Sequence, residues 1–300
     1  QVSSRGLGDV YKRQAISFML AASLFFACST VLVKGIGRSN FGEGVHPILI
    51  AYARFFFSFI FLTIVCCFIR PKIESLNKRL HFLRSCFGCL GVSILFTAVL
   101  YIPISDATAI TFLNPIFAMF FAVILFKENI DLVRWGAALL SFMGGIILIR
   151  PTLNFNFDPV ALLCLIGAII MGLEIICIKI LSGREKVFNI LLFNNFYAMG
   201  IGSFIVPFYF NLVSFKEFIV LIIIALCMLI GQFCFIKSVK KAETSFLMPF
   251  FFTTLIFVII LDLIFFNSLP DKISYLGATI IIIGSLVVAF RELHINKPNN

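Results

Sequence analysis

Long apolar stretches, separated by short polar segments, recur along the whole chain. Ten of them are 18–24 residues long: 15–35, 47–69, 82–102, 107–126, 132–149, 159–181, 187–210, 217–236, 244–266 and 273–290. About 20 apolar residues in a helix are enough to cross the ~30 Å hydrocarbon core of a bilayer. The pattern therefore predicts an all-α integral membrane protein with ten transmembrane helices and short connections.

Composition supports a membrane class. Of the 300 residues, 61% are hydrophobic and 13% are charged, and the mean hydropathy is +1.10. A soluble domain carries roughly 25% charged residues, so a bilayer is the expected solvent and lipid an expected partner. The net charge of +10 is spread over the short connections and is not gathered into an arm. This distribution argues against a nucleic-acid partner.

The basic residues also orient the predicted helices. With a cytoplasmic N-terminus, fifteen of the Lys and Arg residues after residue 14 fall on the inner side and five on the outer side. This bias predicts that both termini are cytoplasmic and that the protein lies in a bacterial inner membrane. Residues 1–14 (QVSSRGLGDVYKRQ) lack an initial methionine and are expected to be a non-native leader. Residues 293–300 are expected to form a cytoplasmic tail.

Two similar segments indicate an internal repeat. ATAITFLNPIFAMFFAVILF contains Pro115 in the fourth stretch, and AETSFLMPFFFTTLIFVIIL contains Pro249 in the ninth. A glycine-containing helix follows each segment, so the repeat unit is five helices. Five is an odd number, and the two copies must therefore cross in opposite directions. An inverted repeat of this kind is typical of secondary transporters.

A series of short motifs recurs in order along the chain: AYARFFFSF, LRSCFG, IPISDATAITFLNPIF with FKE, RWGA, GGIILIRP, MPFFF, SLPD and the late RE. By their order and spacing the chain resembles the drug/metabolite transporter superfamily, in its ten-helix form with two EamA domains, here 15–151 and 158–292. The resemblance implies secondary transport of a small polar or amphipathic metabolite by alternating access. It also implies a cavity reached from the first, third, fourth, sixth, eighth and ninth helices. A glutamate usually precedes the second LPD-like turn, but Ser268 stands there, so no role of that glutamate is transferred.

Ionisable residues within membrane helices are costly and are treated first as functional candidates. Arg54 and Asp262 lie at similar depth below the predicted outer surface, so we expect them to form an outer-gate pair. A purely structural ion pair, or an arginine that extends to the surface, is the alternative. Glu174 is a candidate for the substrate cavity, and Glu174 or Asp262 for proton coupling, with facilitated exchange equally open. The alternative roles of Glu174 are a hydrogen bond to a neighbouring helix and local pairing with Lys179.

The two mid-helix prolines, Pro115 and Pro249, are predicted to kink their helices and free backbone carbonyls. Asn114 would then offer its amide to a substrate, and Gln232 and Tyr101 are further cavity candidates. Packing alone would also explain the kinks, and hydrogen bonds between helices would explain the polar residues.

Other readings of the sequence give weaker predictions. An intramembrane enzyme is disfavoured because no H-E-x-x-H motif is present and the three histidines lie at helix ends, so no catalytic residue, metal or cofactor is predicted. A channel or a lipid scramblase is left open. Cys86 and Cys89 are read as small apolar residues. Ala137, Ser141 and Gly145 form a small-residue stripe that suits packing inside the bundle or across a homodimer.

Overall fold

The computed structural model describes residues 2–37, 44–73, 77–98, 110–111, 113–128, 131–149, 159–209, 213–266 and 272–295. Within these residues the regular structure is helical. Eleven α-helices are described there: α1 Val2–Gly37, α2 Pro47–Ile69, α3 Lys78–Ala98, α4 Asn114–Phe126, α5 Leu132–Ile149, α6 Pro159–Arg184, α7 Val187–Ile205, α8 Phe215–Lys241, α9 Thr244–Phe251, α10 Thr253–Phe266 and α11 Lys272–Ile295. A 3-10 turn, Val206–Tyr209, extends α7.

Each predicted apolar stretch overlaps one of these helices, and the ninth overlaps α9 and α10 together; parts of the third and fourth stretches lie outside the described residues. Among the described residues, six helical segments have the length and apolarity to cross a membrane: Val10–Ile36, Pro47–Ile69, Leu162–Arg184, Val187–Tyr209, Phe215–Lys241 and Thr244–Phe266. The apolar segments of α4, α5 and α11 are shorter. The all-helical membrane class is confirmed, whereas ten crossings and the leader at 1–14 stay predictions.

Local sequence explains several helix ends. His46 caps α2 by accepting a hydrogen bond from the Ile48 amide, and Pro47 occupies the first turn, where a missing N–H costs nothing. Ser214 and Glu217 form a capping box at the start of α8. The Glu217 carboxylate also accepts from the Gly44 amide, which ties the α1–α2 connection to this end of α8.

The helices pack in a pattern that pairs the two halves of the chain. The most extensive contacts are α1 with α8, α3 with α6, and α5 with α11. Smaller interfaces join α2 to α7, α4 to α6, α1 to α10, and α4 to α9. Large apolar side chains cover the outside, including Phe68, Phe204 and Phe208, each more than 80% exposed. An apolar surface of this extent is stable only against lipid.

The small-residue stripe of α5 is used inside the chain. A Cβ atom placed on Gly284 of α11 would lie 2.3 Å from the Ser141 hydroxyl and 2.9 Å from the Ala137 carbonyl oxygen. Gly145 faces Leu255 of α10 in the same way. The glycines let the α5 and α11 backbones come this close. The stripe therefore serves packing within the bundle, and a homodimer would need another surface.

Both prolines lie next to an interruption between helical residues. Pro115 is in the first turn of α4, and Ile110 and Thr111, just before the turn at Leu113, are also helical, so a kink here stays a prediction. Pro249 lies inside α9, and the helix stops two residues later and restarts as α10. Three carbonyl groups near this second break accept from side-chain hydroxyls: Thr253 donates to Phe250, Thr254 to Phe251, and Ser285 to Pro249.

Candidate functional site

An internal cavity of about 260 Å³ lies between helices of the two halves, in the middle of the bundle. Its described walls come from α1 to α4 in the first half and from α6, α8, α9 and α10 in the second. The lining residues are Phe26, Thr30, Arg54, Arg84, Val92, Leu95, Thr111, Asn114, Met171, Glu174, Ile175, Ile178, Met228, Gln232, Phe235, Ile236, Phe251 and Thr254.

Arg84 and Glu174 face each other across the α3–α6 interface. The Arg84 side chain is fully buried, and its Nε atom lies 3.8 Å from Oε1 of Glu174. That separation is an ion pair but too long for a hydrogen bond. Arg84 donates one hydrogen bond, from Nη1 to the Ile190 carbonyl at 3.1 Å, while Nε and Nη2 have no partner. The arginine is therefore buried with donor capacity to spare.

Glycine positions the Glu174 carboxylate. A Cβ atom on Gly88 of α3 would lie 3.1–3.2 Å from the carboxyl atoms of Glu174, so the carboxylate rests directly on the α3 backbone. One turn further along, a Cβ on Gly91 would clash with Met171. These two glycines give α6 the close approach that brings Glu174 beside Arg84. Gly88 lies four residues after Arg84, which places both on one face of α3.

Arg54 enters the cavity from α2, a helix that the resemblance does not place there. Its guanidinium stacks 4.3 Å from the ring of Phe55 and interacts electrostatically with Glu174. Among the described residues, no carboxylate lies within ion-pair distance of Arg54. The cavity walls thus carry two arginines and one glutamate as their described charged groups.

Two predicted amide residues line the same cavity. Asn114 is 8% exposed, and its Oδ1 atom has no hydrogen-bond partner, while its Nδ2 atom lies 4.0 Å from the Met171 sulfur. A buried acceptor without a partner costs about 1–3 kcal/mol, so its retention needs a reason. Gln232 reaches the cavity from α8. Tyr101 lies outside the described residues.

Three phenylalanines that sequence reasoning did not single out form one wall. Phe26, Phe235 and Phe251 come from α1, α8 and α9, and their ring centroids are 5.8–6.3 Å apart in tilted and edge-on arrangements. With 39 phenylalanines in the chain, residue type carried no signal for these three. Arg84 was also passed over, because it lies only two residues inside its predicted helix and was counted with the loop charges.

The predicted pair of Arg54 with Asp262 is not formed. Instead, Lys34 of α1 donates to both carboxylate oxygens of Asp262, at 2.5 and 2.7 Å. Lys34 was read as a loop residue, but α1 extends to Gly37 and carries it alongside α10. Residues at similar depth on different helices need not face each other, and the α1–α10 packing decides this pairing.

A second charged cluster joins the two halves beyond one end of the cavity. The Glu128 carboxylate accepts from the backbone amides of Thr244 and Ser245, at the start of α9. Arg134 of α5 forms a 2.5 Å ion pair with Glu243 and donates to the Ser245 hydroxyl. We call these residues, Glu128, Arg134, Glu243, Thr244 and Ser245, the latch. They link the α4–α5 region to the α8–α9 connection.

Next to the latch, Lys179 of α6 holds the end of α8. Its ammonium group donates to the carbonyls of Val239, at 2.8 Å, and Ala242. We call this contact the brace. Lys179 directly follows Ile178, and Val239 lies three residues after Ile236; both isoleucines line the cavity. The latch and this brace therefore lie about one helical turn beyond that end of the cavity.

No group of three or more His, Cys, Asp or Glu side chains suited to a metal ion occurs among the described residues. All nine cysteines, including Cys86 and Cys89, are free. The site is thus built from charged, amide and aromatic groups.

A model described as the EamA-like transporter family matches residues 13–150 and, separately, residues 158–290. The S-adenosylmethionine uptake transporter of Rickettsia prowazekii (strain Madrid E) is 24% identical over 264 residues, covering 88% of this chain and 90% of that protein. The pseudopaline exporter of Pseudomonas aeruginosa is 19% identical over 285 residues, covering 92% and 96%. The riboflavin transporter of Rhizobium johnstonii is 24% identical over 221 residues, covering 71% and 70%.

The fold also matches a solved structure. A crystal structure of a protein 14% identical in sequence superposes with a TM-score of 0.78, over 96% of this chain and 99% of that one. At this identity the match concerns the fold alone. It shows that the whole arrangement of helices recurs in a solved protein.

Proposed function

The chain belongs to the EamA-like transporter family, and from that premise we propose that it is a secondary transporter that moves a small polar or amphipathic metabolite by alternating access. The family model covers both halves, and the relatives named above are transporters and not enzymes. Those relatives include an uptake transporter and an exporter. Family membership therefore leaves the direction of transport and the substrate open.

The cavity is the observation that carries the proposal. It lies in the middle of the bundle, is lined by side chains from both halves, and contains charged, amide and aromatic groups together. Transporters built from repeats hold their substrates near mid-membrane, where the repeats meet. A volume of about 260 Å³ suits a small metabolite. Retaining three ionisable groups there would be costly without a function.

The packing pattern supports two inverted five-helix repeats. If the first half maps onto the second in order, α1 corresponds to α6, α3 to α8, and α5 to α11. Under this exchange the α1–α8 contact becomes the α3–α6 contact, and the α5–α11 contact maps onto itself. These three contacts are the most extensive in the bundle. The α2–α7 and α4–α9 contacts also map onto themselves. A pseudo-two-fold relation between the halves accounts for all of these contacts at once.

The latch supports alternation between two states. It connects the halves at one end of the cavity through exposed or half-buried polar contacts. Such contacts are individually weak, so they can open and close without unfolding the bundle. We propose that the latch closes the cytoplasmic end in this state and opens in the other. The basic residues near it agree with a cytoplasmic location.

Proteoliposome uptake tests the proposal. Purified protein in vesicles should take up at least one metabolite with a rate that saturates and that rises when the same metabolite is loaded inside. S-Adenosylmethionine and riboflavin, which the relatives' names supply, are the first compounds to try. A channel would give a rate proportional to concentration without stimulation by exchange. A scramblase would move labelled lipid between leaflets; either result would contradict the proposal.

Topology is tested separately. We propose a bacterial inner-membrane location with both termini cytoplasmic, on the basis of the positive-inside bias. In a background without reactive native cysteines, Lys216→Cys should react with an impermeant thiol reagent added outside intact cells. Lys78→Cys should react only after permeabilisation. Both side chains are exposed in the structure, so their accessibility is matched. The reverse pattern would invert the orientation.

A further inference from the structure

We propose that a groove between α1 and α8, on the outside of the bundle, binds an anionic phospholipid. The groove has a volume of about 1140 Å³ and runs between the first half of α1 and the last two turns of α8. Its basic side chains are Arg13, Lys237, Lys240 and Lys241. The three lysines belong to α8, so most of this charge does not depend on residues 1–14, which include Arg13. The site goes beyond the proposed transport function, because its ligand is a component of the membrane and not the transported compound.

The groove is separate from the central cavity. The two share no lining residue, and they lie on opposite sides of α8: Lys237 and Lys241 face the groove, whereas Gln232 faces the cavity. With about 3.6 residues per turn, Lys241 lies about 180° around the helix axis from Gln232. Tyr11 and Ser17 on the α1 side of the groove are exposed. The groove therefore opens to the surroundings of the bundle and not to the proposed substrate site.

The positive charge of the groove has no protein counter-charge among the described residues. No carboxylate lines the described walls, and Lys237, Lys240 and Lys241 form no ion pair with another described residue. Neutral groups contact them instead: the Lys237 ammonium lies 5.2 Å from the ring centroid of Phe18 and 4.4 Å from that of Phe233. Like charges this close repel one another, so an anion in the groove would stabilise this end of α8.

The groove changes from basic to apolar along its length. At the basic end, Gln14 of α1 accepts a hydrogen bond from Lys241 of α8 at 2.6 Å. One helical turn nearer the middle of the bundle, Phe18 lies beside Lys237. The walls beyond that turn include the apolar Ala21 and Cys234. A phospholipid has the same order of groups, with its charged headgroup at the membrane surface and its acyl chains toward the middle.

Size and polarity together favour a phospholipid over a soluble phosphate compound. A free phosphate would fill a small part of the groove and would leave its apolar end uncovered. Tyr11 lies 4.8 Å beneath the Lys241 ammonium, and an aromatic ring beside a basic side chain is typical of the membrane interface. Basic pockets between transmembrane helices bind anionic lipid headgroups. The lysines select a lipid with a net negative charge over a zwitterionic one, because the ammonium of a zwitterionic headgroup would be repelled.

Lipid-dependent thermal stabilisation tests the proposal on the full-length, delipidated protein in detergent, because a ligand that binds the native state raises its melting temperature. The probes are phosphatidylglycerol and phosphatidylcholine with identical oleoyl chains, and glycerophosphoglycerol, which is the anionic headgroup without chains. Phosphatidylglycerol should raise the melting temperature well above the value with phosphatidylcholine, and glycerophosphoglycerol should not change it. Equal stabilisation by the two lipids would overturn the proposal. Stabilisation by glycerophosphoglycerol would overturn it in favour of a soluble phosphate compound.

Substitution of the lysines locates the site. Lys237→Gln with Lys241→Gln, the groove variant, should weaken phosphatidylglycerol binding about 25-fold, because each basic residue near an anionic lipid contributes a factor of about five. Affinity is measured by titrating the lipid against the melting temperature, and the lipid-free melting temperature of each variant is its own reference. Lys240→Gln is a milder change, since this side chain is exposed and its printed contact is a 3.4 Å hydrogen bond to the Glu185 carbonyl. It should weaken binding about fivefold even if the groove variant does not fold.

Lys78→Gln with Arg79→Gln is the matched control. These two basic residues are exposed at the start of α3 and lie outside the groove. They lie at the same end of the bundle, since His81 pairs with Glu185, whose carbonyl accepts from Lys240. The control should bind phosphatidylglycerol as the unmodified protein does. An equal loss in the control would mean that the lipid responds to overall charge, and unchanged binding in the groove variant or in Lys240→Gln would place the lipid elsewhere; each result contradicts the proposal.

Discussion

The cavity cluster and the latch both contain arginine and glutamate, yet the arginines of the cavity keep unused hydrogen-bond donors, whereas the charged groups of the latch are paired. In the latch, the Glu128 carboxylate accepts two backbone amides, and Arg134 contacts both a carboxylate and a hydroxyl. In the cavity, Arg84 keeps two unpartnered nitrogens, and Arg54 has no ion-pair partner among the described residues.

The difference separates contacts that stabilise one conformation from groups that are free to bind a ligand. Satisfied contacts at the edge of the bundle hold the halves together and exchange cheaply with water when they open. Buried unsatisfied groups lower stability, and a membrane protein retains them when a ligand completes them. Substitutions in the two clusters should therefore change stability and transport in different proportions.

The largest effect is expected from Arg84→Met. Removing the arginine leaves Glu174 without its nearest counter-charge, and breaking one side of a buried pair costs about 3–5 kcal/mol. The melting temperature of the detergent-solubilised protein measures the loss. Adding Glu174→Gln to the same variant should restore most of it. If the double variant is no more stable than the single one, Arg84 is needed for packing and not for charge.

A smaller loss is expected from Glu128→Ala in the latch. Its carboxylate satisfies two amides at the start of α9, and losing such a cap costs about 1 kcal/mol. Weakening the latch should also favour the open state, so an impermeant thiol reagent should reach Ile178→Cys faster from the cytoplasmic side. Glu128→Gln serves as the control, since it keeps an acceptor. Unchanged labelling in both variants would show that the latch does not control access.

Asn114→Leu should not lower the stability of the protein, unlike most substitutions of buried residues. The substitution removes a buried acceptor that has no partner, so stability should stay constant or rise by up to about 1 kcal/mol. Uptake should nevertheless fall, because the proposed substrate cavity loses this polar group. Melting temperature and uptake rate, measured on the same preparation, give the comparison. A destabilised protein with normal uptake would make Asn114 a packing residue.

The smallest effect is expected at the Lys34–Asp262 pair. Both side chains are partly exposed, and pairs of this kind contribute about 0.2–1 kcal/mol. Lys34→Gln should therefore change the melting temperature little and leave uptake intact. A large loss of uptake would mean that this pair, and not the cavity cluster alone, takes part in transport.

Much of the candidate site was predictable from sequence, although its pairings were not. Asn114, Glu174 and Gln232 were named because polar residues inside apolar helices are rare, and all three line one cavity. The Arg54–Asp262 pairing was wrong because depth along a helix says nothing about which neighbour a side chain faces. The kink expected at Pro115 stays a prediction, since described helical residues lie on both sides of the turn at Leu113.

The sequence by itself determined the membrane class, the positions of the helices and the family, because these depend on apolar run length and on motif order along the chain. The family resemblance is confirmed by the match of the EamA-like transporter family to both halves of the chain. Only the tertiary structure decided that Arg84 joins Arg54 and Glu174, that three of the many phenylalanines share a wall, and that Lys34 pairs with Asp262. These contacts join residues far apart in the chain, and close helix packing at glycines such as Gly88 sets which of them meet.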